Sequence, residues 1–90
     1  MTEPTLNNVR LRYFAAVAEA AGTAEESVAI PAESTVEELR AQLSASHSEE
    51  FGRILGVSAL LVEGARVEDT DVLPQTEGIQ VDVLPPFAGG

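Results

Sequence analysis

The fold is decided by the stretch IQVDVLPPFAGG, residues 79–90. Ile79, Val81 and Val83 recur at every second position, which is the spacing of a strand with one buried face. Two prolines follow the strand, and a proline has no N–H to donate to a neighbouring strand. The stretch therefore predicts a last strand that ends before the prolines, followed by an irregular tail over residues 87–90.

The tail, with the sequence Phe87-Ala88-Gly89-Gly90, is the first candidate functional site. Glycine lacks a Cβ, so Gly89 and Gly90 form a thin, conformationally free end that fits a narrow tunnel in another protein. A terminal carboxylate at Gly90 is ionised at neutral pH and is then a poor electrophile. Chemistry there requires a separate enzyme that activates the carboxylate with ATP, for example as an acyl-adenylate. A sulfur donor could then displace AMP and leave a thiocarboxylate.

By itself a terminal Gly-Gly is a weak indication, because many chain ends contain glycine without using it. Its position directly after a strand and two prolines strengthens the interpretation. Phe87 is the first residue of this tail and Pro86 precedes it, and Phe14 lies on the face of its strand opposite to the apolar face. Aromatic residues on a surface near a functional tail are candidate docking anchors for a partner. The alternative is that each one covers an edge of the core.

The N-terminal part of the chain predicts two strands joined by a short helical turn. Apolar and polar residues alternate over Val9–Tyr13, as in a strand. The alanine-rich run that follows closes at Gly22, which suits a helix C-cap. Ser27–Pro31 has the pattern of a second strand, and residues 1–8 that of a loose arm.

The best-defined helix is predicted over Val36–Leu43. Its valine and leucines fall on one helical face, and its early glutamates suit the positive end of the helix dipole. Either of two pairs, Ser34 with Glu37 or Thr35 with Glu38, has the spacing of a capping box at its start.

A second short helix is predicted over Ser48–Leu55, then an apolar strand over Ala59–Val62 that ends in a turn at Glu63-Gly64. Arg66-Val67 is a short strand partner. The order is a hairpin, a long helix and then more strands, so we expect an α+β fold with one main helix packed across the sheet. Residues 9–86 form one domain.

The composition excludes several classes of function. The 90 residues contain fifteen acids, five arginines and no lysine, and the formal net charge is −10. Such a surface repels nucleic acid and anionic lipid, and it favours a partner with a basic docking surface or simply keeps the protein in solution. Without cysteine there are no disulfides, thiolate metal sites or cysteine nucleophiles. No apolar run approaches the roughly 20 residues of a membrane span, and the N terminus lacks a secretory signal, so we expect a cytoplasmic protein.

Other ionisable residues do not form a catalytic pattern. His47 is the sole histidine, and we expect it near the negative end of the main helix or in solvent. The pairs Glu25-Glu26, Glu37-Glu38 and Glu49-Glu50 are adjacent in sequence and do not face each other on a helix, so we expect solvated faces. No metal-ligand spacing and no nucleophile–base pair is found, so we expect a protein without catalysis or a bound cofactor of its own.

Two stretches over residues 9–90 resemble the small subunit of molybdopterin synthase, within the wider group that contains the thiamine-biosynthesis sulfur carrier. LRYFAAVAEAAG, residues 11–22, is similar to the family's strand followed by Phe-Ala-x-x-Arg-Glu-x-x-Gly. EGIQVDVLPPFAGG, residues 77–90, is similar to its Asp-Gly-Asp-x-Val and Pro-Pro-x-x-Gly-Gly terminus. Between them, LVEG at residues 61–64 is similar to its Val-Asn-Gly turn.

The resemblance implies a β-grasp (ubiquitin-like) fold with a mixed sheet, adenylation at Gly90 by a ubiquitin-activating-type enzyme, and a Gly90 thiocarboxylate. It further implies, as partners, a sulfur donor and the large subunit of molybdopterin synthase, which receives the sulfur for the molybdenum cofactor. A sulfur carrier for thiamine or another pathway, or a protein modifier conjugated through Gly90, remains an alternative. The two-helix middle, residues 34–55, is more similar to the molybdopterin subunit than to the shorter thiamine carriers.

The chain departs from the family pattern at two positions. Ala18 stands where the family commonly has arginine, which removes one expected partner contact. Ile79 replaces the acidic residue of the usual Gly-Asp turn, so a different loop shape is expected before the last strand. Neither departure touches the terminus.

Overall fold

The last strand lies at the centre of the sheet. The computed structural model describes residues 6–74 and 78–86. In it β5 (Ile79–Leu84) pairs in parallel with β1 (Leu6–Tyr13) on one side and antiparallel with β3 (Ala59–Val62) on the other. A strand with neighbours on both sides is fixed along its whole length, so β5 holds the sheet together.

Two outer strands complete the sheet. β2 (Glu25–Pro31) pairs antiparallel with β1, and β4 (Ala65–Arg66) pairs antiparallel with β3. The strand order is β2-β1-β5-β3-β4, with β1 and β5 the parallel pair. This mixed sheet with helices confirms the predicted α+β class.

The helices pack on one face of the sheet. They are α1 (Ala15–Ala21), α2 (Val36–Ser46) and α3 (Glu49–Gly56). Their buried apolar residues and those of the strands form one core: Val9, Leu11, Tyr13, Val17, Ile30, Val36, Leu39, Leu43, Phe51, Leu55, Leu60, Val62, Leu73, Ile79, Val81 and Val83. The alternating residues predicted to share a face in β1 and β5 are all in this core.

Backbone pairing extends two strands beyond their apolar patterns. β1 begins at Leu6, because Leu6, Asn7 and Asn8 lie opposite Pro31, Ile30 and Ala29. The last three residues of the predicted arm are therefore strand, and residues 1–5 lie outside the described residues. β2 begins two residues before the predicted start for the same reason.

Local hydrogen bonds set the start of α2. The Thr35 side-chain oxygen accepts the backbone N–H of Glu38, and the Glu38 carboxylate accepts the backbone N–H of Thr35 at 2.8 Å. Of the two predicted capping boxes, the one between Thr35 and Glu38 is therefore formed. Ser34 is buried and donates to the Pro31 carbonyl instead.

Glu63 and Gly64 both have positive φ, as in a two-residue hairpin turn, so β4 pairs from Ala65 and not from Arg66 as predicted.

The main helix also holds the outer strand β2. The Gln42 side chain on α2 donates from Nε2 to the Ala29 carbonyl of β2 at 3.0 Å. β2 lies at one edge of the sheet. A carbonyl of this edge strand is therefore bonded to the helical layer.

Two glycines provide a matched test of backbone conformation. Gly22 ends α1 at φ 78°, and its N–H donates to the Ala18 carbonyl at 2.9 Å. Gly56, at the end of α3, does not have a positive φ. A Cβ at either position would meet nothing within 4 Å.

We expect Gly22→Ala to lower the free energy of unfolding by about 1 kcal/mol, because an alanine in the left-handed region is strained. Gly56→Ala should raise it by roughly 0.5 kcal/mol, because alanine is favoured over glycine in a helix. Chemical denaturation of both variants measures these changes. Equal effects of the two substitutions would contradict the assigned backbone conformations.

Candidate functional site

The chain leaves the sheet where β5 ends. Leu84 is the last residue of β5 and lies opposite Ala59 at the start of β3. Pro85 is half-buried and Pro86 is exposed, and neither has an N–H to continue the ladder. The predicted site residues Gly90, Gly89, Ala88 and Phe87 lie outside the described residues. The structure thus places the point from which the tail departs, which we call the tail exit.

An apolar groove of about 560 Å³ lies on one side of the tail exit. Tyr13 lies opposite Val83 in the parallel pair of β1 and β5, so the next residues, Phe14 and Leu84, come side by side. With Pro85 and Pro86 they line the groove, together with Ala15, Ala16 and Glu19 of α1. The structure therefore brings together Phe14 and Pro86, two of the three predicted partner-binding residues.

A larger and more polar groove, of about 690 Å³, lies on the other side of the tail exit. Arg40 of α2 holds its wall in place with three contacts, donating to the Leu55 and Ser58 carbonyls and pairing with Asp69 at 2.9 Å. Arg66 of β4 also lines this groove and is exposed. Sequence reasoning missed Arg40, because its partners are 15 to 29 residues away along the chain.

Phe14 belongs to the groove and not to the core. It is half-buried, and the Arg12 guanidinium carbon lies 5.4 Å from the centre of its ring, a cation–π distance. The chain then turns from β1 into α1 through Ala15, which has φ 51°. This left-handed turn costs an alanine about 1 kcal/mol. Sequence patterns miss it, because no glycine marks the position.

A polar cluster lies at the other side of Tyr13, inside the helical layer. Tyr13 donates from its hydroxyl to Glu26 Oε2 at 2.5 Å, and His47 Nε2 lies 2.6 Å from the same oxygen. The His47 ring stacks on Phe51 with ring centres 4.2 Å apart. Burial, reinforced by the hydrogen bond to Glu26 and its charge, raises the pKa of the Tyr13 hydroxyl above its ordinary range.

This cluster corrects two predictions. His47 caps the end of α2 as expected, but its side chain contacts Glu26 and Phe51, so the alternative of a solvent position is wrong. Glu26 is half-buried with two partners, so it is not on a solvated face, whereas Glu25, Glu37, Glu38, Glu49 and Glu50 are exposed as predicted. Sequence reasoning missed Glu26 because its partners are 13 and 21 residues away.

The described part of the chain has neither a metal-binding cluster nor a membrane-spanning helix. Within residues 6–74 and 78–86, histidine and acidic side chains do not gather in groups of three or more that would hold a metal ion. The longest helix there, α2, has 11 residues, and none of the described helices has the length and apolar character needed to cross a membrane.

The two departures from the family pattern have structural roles. Ala18 is half-buried against the core, and its carbonyl accepts the N–H of Gly22. Ile79 is buried in the core at the start of β5. The preceding Gly78 has φ 75° and donates to the Asn8 carbonyl at 3.0 Å. The turn before β5 is therefore hydrogen-bonded to β1 through Gly78. The next residue, Ile79, is apolar where the family has an acid.

Comparison with known proteins places this geometry in a family. The family model described as the ThiS family matches residues 11–90. No curated protein has a significantly similar sequence. SAMP1 from Haloferax volcanii is similar in structure with a TM-score of 0.79 and 22% identity, over 93% of this chain and 100% of that chain. The likeness confirms the β-grasp fold.

Two similar structures have higher sequence identity. A protein from Pyrococcus furiosus, provisionally named molybdopterin converting factor subunit 1, has a TM-score of 0.76 and 27% identity, over 90% of this chain and 99% of that chain. A complex of subunits 1 and 2 of the molybdopterin-converting factor from Helicobacter pylori contains a chain with a TM-score of 0.59 and 29% identity, over 92% of this chain and 99% of that chain.

The Tyr13 hydroxyl gives a test of the polar cluster. Its raised pKa means that, above about pH 10, the unfolded chain releases this proton and the folded chain keeps it. The protonated Tyr13 hydroxyl therefore makes its full contribution to the free energy of unfolding below about pH 10, and this contribution should fall as the pH rises further. With one tyrosine, no lysine and no cysteine in the sequence, other side chains contribute little in this range.

We expect the denaturation midpoint to fall between about pH 10 and pH 11.5, and the fall to be absent in Tyr13→Phe. Near-ultraviolet absorbance should show tyrosinate only as the protein unfolds. Tyrosinate formed near pH 10 in a protein with an intact far-ultraviolet circular dichroism spectrum would show that the hydroxyl is not held by Glu26.

Proposed function

The chain belongs to the ThiS family of ubiquitin-like sulfur carriers, and we therefore propose that it carries sulfur on the carboxyl group of Gly90 for molybdopterin synthesis. The family match reaches residue 90, so it includes the whole Pro-Pro-Phe-Ala-Gly-Gly ending. The carriers of this family are small noncatalytic proteins. The single observation that supports the proposal most is that the central strand β5 ends directly before the two prolines that begin this ending.

The proposed chemistry belongs to partners and takes place at one backbone carbon. A ubiquitin-activating-type enzyme transfers AMP from ATP to the Gly90 carboxylate and releases pyrophosphate. A sulfide-level sulfur donor then attacks the carbonyl carbon, its C–S bond forms as the C–O bond to AMP breaks, and a thiocarboxylate remains. This chain contributes a recognisable surface and a deliverable end, with the groups around the tail exit as the docking surface.

The molybdopterin pathway is supported by the two similar structures above 25% identity. Both are named as subunit 1 of a molybdopterin-converting factor, and one of them was solved with subunit 2. We propose that this chain likewise docks on a large subunit that takes sulfur from Gly90. The apolar groove at Phe14, Leu84, Pro85 and Pro86 lies where such a partner would meet the departing tail. Phe87, the next residue, is proposed as a further anchor.

A ubiquitin-like protein modifier is the second candidate function. It is supported by the likeness to SAMP1, which at 22% identity is a likeness of fold. A modifier is joined through Gly90 to lysines of target proteins, and isopeptide-linked adducts in cell extract would identify it. A thiocarboxylate on the free protein would identify the carrier. A thiamine-pathway carrier would form the same thiocarboxylate and fail to transfer its sulfur to a molybdopterin precursor.

We expect incubation with the adenylating enzyme encoded by the same genome, ATP and a sulfur donor to raise the intact mass by about 16 Da, the replacement of one oxygen by sulfur. Intact-protein mass spectrometry measures this gain. Deletion of Gly90, or one residue added after it, should abolish the gain without changing the thermal midpoint, since the described fold ends its last strand at Leu84. An unchanged mass with an enzyme shown to be active would contradict the carrier function.

Phe14→Ala should raise the KM of the adenylating enzyme for this chain by about tenfold or more, as for an aromatic residue at the centre of an interface. Leu6→Ala is the matched control, because Leu6 is 53% exposed on the same strand, roughly 26 Å away along β1. A KM equal for the two variants would show that the adenylating enzyme does not dock on Phe14. Denaturation of both variants separates docking from stability.

A further inference from the structure

Strand β2 lies at an edge of the sheet, so half of its backbone groups face away from β1. Tyr13 donates its N–H to the Ala24 carbonyl at 2.8 Å, and the bonded positions of an antiparallel ladder alternate along each strand. Every second residue from Ala24 onward therefore bonds to β1. The residues of β2 whose backbone groups face outward are Glu25, Ser27, Ala29 and Pro31.

Side chains of the same chain already occupy outward groups of Glu25 and Ala29. Thr23 Oγ1 donates to the Glu25 carbonyl at 2.9 Å and accepts the Glu25 N–H at 3.4 Å. Gln42 of α2 donates from Nε2 to the Ala29 carbonyl at 3.0 Å. We call Thr23 and Gln42 the edge block, because an added strand needs the groups that they hold.

The end of β2 is closed in a different way. Pro31 has no N–H, and its carbonyl accepts the Ser34 hydroxyl at 2.6 Å. Of the four outward carbonyls, that of Ser27 alone has no bond to a side chain of residues 6–74 and 78–86. Ser27 is exposed. One residue with an open carbonyl therefore remains in the middle of an otherwise closed edge.

The β2 strand of a second copy of this chain matches the edge through a twofold axis at Ser27. In an antiparallel pair, facing residues exchange two hydrogen bonds at every second position. Ser27 then faces Ser27 of the second copy, and Glu25 of each copy faces Ala29 of the other. An open edge gives two bonds at each of these three pairs. The edge block removes the four bonds of the outer pairs and leaves only the two at the axis.

We propose that Thr23 and Gln42 keep β2 from joining the β2 strand of a second copy, and that their removal creates a dimer with one continuous sheet. The proposal goes beyond the sulfur carrier function and does not depend on it. β1 lies between β2 and β5, so this edge is separate from the tail exit. The net charge of −10 also holds copies apart, but salt screens that repulsion, so the edge block matters most at high ionic strength.

Equilibrium sedimentation of Thr23→Ala/Gln42→Ala in about 1 M NaCl tests the proposal. We expect an association constant at least about tenfold above that of the unaltered protein, because four further hydrogen bonds become available. Amide hydrogen exchange at Ser27 and Ala29 should slow as the dimer forms. Gln42→Ala alone, on a helix that alanine favours, should give part of the increase.

Two further variants separate strand pairing from other association. Ser46→Ala/Thr70→Ala is the matched control, because Ser46 donates to a carbonyl within α2 and Thr70 is exposed in the loop after β4. It should sediment like the unaltered protein. Adding Ser27→Pro to the double variant removes the N–H at the twofold axis and keeps the bonds to β1, so it should restore the monomer.

The inference fails if Thr23→Ala/Gln42→Ala stays monomeric in high salt with an unchanged far-ultraviolet circular dichroism spectrum. It fails equally if the dimer persists after Ser27→Pro, since the copies would then join through another surface. A Ser27 amide that is already protected by dimerisation in the unaltered protein would show that the edge block does not close β2.

Discussion

The structure depends on the pairing of β5 between β1 and β3. This strand lies in the middle of the sheet, and its parallel register with β1 brings Phe14 beside Leu84 just where two prolines remove the N–H groups that a longer ladder would need. The same register buries Val81 and Val83 under the helices. One strand therefore anchors the core and fixes the position from which the tail leaves.

Most elements could be predicted because their signals are local. The alternation in β1 and β5, the cap at Thr35 and the glycine at the end of α1 each act over a few residues. The polar cluster could not be predicted, since Tyr13, Glu26 and His47 meet only after three elements pack together. The two grooves also depend on strand order, which sequence spacing does not give. The strand over Leu6–Asn8 was missed because backbone pairing, and not an apolar pattern, defines it.

Composition and surface give different descriptions of the charge. Fifteen acids against five arginines suggest one uniformly negative protein, yet the fold gathers three of the five arginines on the face of the sheet away from the helices, where Glu25 and Asp82 also lie. The net charge does not say where the charged side chains lie, whereas docking depends on the few charges next to the contact. The positions of Arg10, Arg12 and Arg66 follow from the strand register, which places all three on the same face of the sheet.

The bond from Gln42 to the Ala29 carbonyl bears on how copies of this chain coexist at high concentration. An edge strand with free carbonyls is a template on which another chain can add a strand, and repeated addition leads to aggregates. Here a side chain of α2 already occupies one of those acceptors on β2, at 3.0 Å. An incoming strand must displace it before it can form a regular ladder, so growth of the sheet from this edge is disfavoured.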